Sequence, residues 1–187
     1  MVGARSIVVA LGVMVGLVAL PDRAAAQAPE VFEGLVASTS AVRAGLSPFT
    51  ISVQEYTTDD ETAGLLKTLA EEGPEALAEA LRDLEKGRFQ VPGELSHAVG
   101  FARSLPHETG RIVRIAVARP IAMFELARAP RSRDYQIGII ELRLDADGNG
   151  SGVIVGAAKV EFNDDGELEI ESYAQPPLSI TRVSVKR

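Results

Sequence analysis

Two runs rich in β-branched and aliphatic residues, 135–144 and 153–162, flank the stretch Asp145-Ala146-Asp147-Gly148-Asn149-Gly150-Ser151-Gly152. Gly and Asn reach positive φ at low steric cost, so the stretch reads as a loop and the two runs as a long central β-hairpin. A chain built around such a hairpin needs an antiparallel sheet, and its remaining segments must extend or cover that sheet. The apolar parity of the first run changes partway. Tyr135, Ile137 and Ile139 share one face and Ile140, Leu142 and Leu144 the other, which a bulge near Ile139 or burial on both faces explains.

Other strands follow from the same period of two. Phe49, Ile51 and Val53 alternate with Thr50, Ser52 and Gln54 inside a strand over 49–56, and 31–38 is a strand with apolar residues at both parities. Residues 88–91 make a short apolar return. Residues 98–105 and 111–118 form a second hairpin across the loop 106–110, and 121–126 reads as a short strand. Leu168 and Ile170 alternate with Glu169 and Glu171 over 167–172, and 178–185 is a last strand whose parity slips between Ile180 and Val183.

Between the early strands the period changes. Thr58-Asp59-Asp60-Glu61 has capping-box spacing, which predicts a helix from 59 to 72 with Leu65, Leu66 and Leu69 as its apolar stripe. Gly73 ends it, and Pro74 opens a second helix, running to Lys86, that repeats the stripe with Leu77, Ala80, Leu81 and Leu84. Glu71, Glu75, Glu79 and Asp83 face outward, as a solvated acidic face does. The fold class is therefore α+β: one domain of roughly eight antiparallel strands, a sandwich or partly open barrel, with one inserted helical hairpin.

The N-terminus carries Arg5, an unbroken apolar run over 7–20 and the small residues Ala24-Ala25-Ala26, the order of a secretory signal peptide over 1–26. The run is too short to span a bilayer comfortably. The domain is then 27–187, secreted or periplasmic, and no later stretch reads as transmembrane. Residues 1–26 hold Arg5, Arg23 and Asp22, which leaves 17 Lys and Arg against 25 Asp and Glu, a formal charge of −8. That balance repels phosphate backbones and argues against nucleic acid as a partner. Cysteine is absent, so the fold rests on its core and not on disulfides.

Three places have residues suited to chemistry. Asp145, Asp147 and Asn149, followed by Gly150, match the first half of a calcium loop, but Gly156 stands where the bidentate Glu belongs and the flanks are strands. The stretch reads as a hairpin loop using Asp, Asn and Gly for backbone reasons, with a calcium-stabilised structural domain as the alternative. Arg111, Arg114, Arg119, Arg128, Arg131 and Arg133 fall within 23 residues of an acidic chain. Guanidinium forks capture carboxylate or phosphate, so Arg128, Arg131 and Arg133 are the ligand-binding candidates, set against ion pairing with Glu125, Asp134 and Glu141. The imidazoles are His97 and His107. A zinc site using both, or a Ser-His-Asp set drawn from Ser96, Ser104 or Ser132 with Asp134, is weighed against ordinary solvated or satisfied histidines.

The pattern Arg119-Pro120-Ile121, then Pro130-Arg131-Ser132-Arg133-Asp134-Tyr135, then Ile140-Glu141-Leu142-Arg143-Leu144 and the Gly-rich turn resembles a group of small exported bacterial proteins of unknown function. The resemblance implies a helical hairpin in a β-rich domain and brings no activity, cofactor or catalytic residue with it. The expected function is non-catalytic binding of a small, anionic or other, ligand or of a protein partner, without a cofactor. The runner-up is an extracytoplasmic hydrolase using His107 and Asp134.

Overall fold

The computed structural model describes residues 29–38, 45–93, 95–121, 135–163, 165–172 and 176–186. Among the described residues nine strands and two helices follow in the order β1 (Glu30–Ser38), β2 (Gly45–Val53), α1 (Asp59–Glu72), α2 (Pro74–Arg82), β3 (Gly87–Gln90), β4 (His97–His107), β5 (Gly110–Val117), β6 (Ile137–Asp145), β7 (Asn149–Phe162), β8 (Leu168–Ser172) and β9 (Leu178–Lys186). Each strand from β1 to β7 pairs antiparallel with the next, and β9 pairs with both β7 and β1. The sheet thus closes into an eight-stranded barrel, with β8 added outside on the far half of β7. The sandwich and the partly open barrel expected above give way to this closed one.

Strand parity sorts the side chains between the two faces of the closed sheet. Phe32, Phe49, Ile51, Val53, Phe89, Val113, Ile115, Leu142, Ile154 and Ile180 all point inward and fill the barrel. Outward positions carry Thr50, Arg103, Arg114, Glu141 and Arg143, the reverse of the apolar exterior that a lipid-facing barrel needs. Among the described residues no helix is long and apolar enough to cross a membrane.

The parity breaks are bulges. In β9 the pairs Leu35↔Arg182 and Val36↔Ile180 leave Thr181 extra, so Ile180 and Val183 both reach the core. In β4 the pairs Val99↔Val117 and Phe101↔Ala116 leave Gly100 extra. In β7 the pairs Ile139↔Val155 and Ile137↔Ala158 place the extra residue opposite β6. Of the two explanations offered for β6, burial on both faces is the one that holds: the bulge lies in β7, and β6 itself alternates regularly. Ile140, Leu142 and Leu144 face the barrel, while Ile137 and Ile139 face a second cluster outside it.

That outer cluster seats the helical hairpin. Leu65, Leu69, Leu77, Ala78 and Leu81 pack onto Phe101, Ala116, Ile139, Val160, Leu168 and Ile170. Leu66, expected in the stripe, is 41% exposed instead. The capping box forms as read: Thr58 Oγ1 accepts from Glu61 N at 3.2 Å, and Glu61 Oε2 accepts from Thr58 N at 2.8 Å. Glu61 also holds Lys86 Nζ at 2.7 Å, tying the helix start to the entry of β3. Just ahead of α1, Thr57 extends the ladder of β4 past the short β3. Its amide donates to Ala102 O at 2.7 Å, and its hydroxyl accepts from Ala102 N at 3.0 Å.

Both hairpin loops are tighter than the sequence suggests. Strand pairing runs to His107↔Gly110 and to Leu144↔Gly150. Gly150 and Gly152 belong to β7 and not to the loop. A Cβ on either would lie 1.8 Å from Arg143 O or 2.2 Å from Glu141 O, so these glycines permit close approach of β7 to β6.

Candidate functional site

Where β4–β5 and β6–β7 turn, the near end of the barrel is closed by charge. Arg111 shares the inward parity of Val113, Ile115 and Val117, and Glu30 that of Phe32. The two meet across the mouth: Arg111 donates from its terminal nitrogens to Glu30 Oε2 at 3.0 Å and Oε1 at 2.9 Å. The guanidinium carbon lies 6.0 Å from the centroid of Phe32, over the outermost ring of the core. Tyr56, beyond the end of β2, donates its hydroxyl to Glu30 Oε2.

The electrostatics follow from this geometry. Burial opposes the Glu30 carboxylate, but the hydrogen bonds from Arg111 and Tyr56 and the guanidinium charge outweigh it and hold the carboxyl below its usual range. Burial first, then the bond to Glu30 and its charge, push the Tyr56 hydroxyl far up. It is a fixed donor at any ordinary pH.

Above this network lies a cleft of about 400 Å³, lined by Glu30, Arg111, Asp145, Asp147, Gly148 and Val185 among others. Its outer wall is the β6–β7 turn. Asp145 Oδ1 accepts from the amides of Asp147 and Asn149 at 2.9 Å each, and Gly148 takes φ 82°. The backbone reading of this turn therefore accounts for the arrangement of Asp145, Asp147 and Asn149. Among the described residues no group of three or more His, Asp or Glu side chains is placed to share a metal ion.

The arginines do not converge. Arg111 closes the near end, Arg114 pairs with Glu141 at 3.2 Å on the outer wall, and Arg119 lies at the far end against His97. Arg143 joins the same carboxylate of Glu141 at 3.0 Å, so ion pairing with Glu141 is realised. Arg128, Arg131, Arg133, Asp134 and Ser132 lie outside the described residues, as does most of the strand expected at 121–126. His97 is buried at the start of β4 and His107 exposed at its end. Ten residues of extended chain separate the imidazoles by roughly 30 Å, so no zinc site uses both.

Two members of the near-end network, Glu30 and Tyr56, were not among the residues singled out from the sequence. A signal for Glu30 was present, since it stands two residues before Phe32 and so shares its face. No family model, curated protein or solved structure matches the chain.

Proposed function

We propose that the protein is a non-catalytic binding module working outside the cytoplasm, and that it takes a small polar ligand in the near-end cleft. The observation that carries this reading is the pairing of a core-filled barrel with a charged concavity at its rim. Side chains occupy the barrel interior, whereas the cleft of about 400 Å³ presents carboxylates beside an arginine held rigid by two hydrogen bonds. Pre-oriented polar groups at the edge of a rigid scaffold favour recognition at low ordering cost.

The cleft favours a hydrogen-bonding neutral or cationic ligand, such as a polyol or an amine, over an anion. Arg111 is neutralised by Glu30, and Asp145 and Asp147 add negative charge at the rim. An anionic ligand would instead belong to Arg128, Arg131 and Arg133. Export is supported by Arg5, the apolar run over 7–20 and Ala24-Ala25-Ala26.

The test is an NMR titration of the mature protein against saccharides, amines and carboxylates, together with an Ala146→Trp variant that fills the cleft from its exposed turn. Binding should move the amides of Gly110 and 145–148, and Ala146→Trp should weaken it at least tenfold. If no compound class moves those amides, or if bound compounds ignore Ala146→Trp, the cleft is not the ligand site.

A further inference from the structure

At the far end the core is closed by a second arginine, with different chemistry. His97 faces inward at the start of β4, only 5% exposed, with its ring 5.8 Å from that of Phe89. Arg119, two residues beyond β5, lies across it. The Arg119 Nε donates to His97 Nδ1 at 3.1 Å, and a terminal nitrogen donates to the Ser96 carbonyl. An accepting Nδ1 places the proton of the neutral imidazole on Nε2.

The same short segment supplies an apolar plug. Ile121 is 2% exposed and packs beside Gly138, where no Cβ stands in its way. Its amide donates to Gly156 O at 2.7 Å, at the bulge of β7. Among the described residues, Arg119 on the rim and Ile121 in the core thus cover the far end together.

We propose that this closure is an acid-operated latch: a proton taken up by His97 removes the acceptor on which Arg119 rests and releases the segment 119–121, opening the far end while the near end stays shut. A protonated Nδ1 is a donor facing a donor, and imidazolium then sits against guanidinium. From β3 the ring meets Phe89, and from the segment after β5 it meets Arg119. No carboxylate among the described residues is placed to separate the two cations.

Burial, with the charge of Arg119 behind it, holds the imidazole at about 4 against an ordinary 6.5. Because the closed form has the lower pKa, it loses ground to the open form as pH falls from 6.5 towards 4. The near end responds later, since its carboxylate is held below 4.5. The loop under Arg119 also carries a cost, as Ser96 Oγ is buried without a hydrogen-bond partner.

The experiment follows amide exchange at Ile121, corrected for intrinsic chemistry, alongside the NMR titration of His97. Between pH 6.5 and 4 the protection of Ile121 should fall about a hundredfold, tracking the imidazole, while Val113 in the middle of β5 keeps its protection. In His97→Gln, whose amide oxygen still accepts from Arg119 but does not titrate, the fall should vanish. The latch is overturned if Ile121 loses protection equally in His97→Gln, if Val113 follows it, or if His97 titrates with Ile121 unmoved. Should His97→Gln fail to fold, the wild-type comparison of imidazole, Ile121 and Val113 decides alone.

Discussion

Glu30 accepts three hydrogen bonds, two from Arg111 and one from Tyr56, at a barrel mouth where each side chain of the ion pair is only 25% exposed. Truncating one member of such a pair strands the other, so Glu30→Gln should cost about 2 kcal/mol in urea unfolding. Adding Arg111→Met should recover part of the loss, because the double variant leaves no stranded cation. The sign of the pH effect follows from the lowered pKa. The Glu30 contribution is present above about 4.5 and disappears as pH falls through the folded value, so Glu30→Gln should flatten the acid limb of the stability profile. The inward parity of Arg111 was legible beside Val113, Ile115 and Val117. Its partner was not, because Glu30 lies 81 residues away and only the closed register brings them together.

The helical hairpin was the most legible element, since its signals are local: the Thr58/Glu61 box, Gly73 and Pro74 each act within a turn of their own position. The bulge at Thr181 was visible only as a slip of parity, and those at Gly100 and in β7 were not read at all, because a bulge depends on the strand opposite. The bulge at Gly100 is also a point of close approach to α2. A Cβ there would lie 2.1 Å from Leu81 O, a backbone atom that moves only if the helix moves. Gly100→Ala should therefore lift α2 from the barrel and destabilise the protein by about 2 kcal/mol. Chemical denaturation should show the lowered midpoint, and near-native spectra of the barrel residues Ile115 and Leu142 should localise the damage to the outer cluster. Equal stability of Gly100→Ala and wild type would mean that the helix is not held against β4 at this point.

For the whole molecule, alternating strands reveal that a sheet has one apolar face, but not whether that face closes on itself or on a second sheet. The deciding contacts are those of β9 with β1, from Val31↔Lys186 to Ala37↔Ser179, which join opposite ends of the described chain. No local pattern encodes them. The candidate site was less legible than the fold for the same reason, since its floor is made by Glu30, Tyr56 and Arg111 from three distant segments. The proposed export makes its own prediction: mass spectrometry of extracytoplasmic material should find the N-terminus at Gln27, and recovery of a chain starting at Met1 would count against processing. The closing strand has a consequence for the order of assembly. Because β9 follows every other strand in sequence and pairs with both β1 and β7, a chain emerging from its N-terminus keeps two open sheet edges until that strand is free. Closure of the barrel should therefore come late, once β9 is free to join β1 to β7.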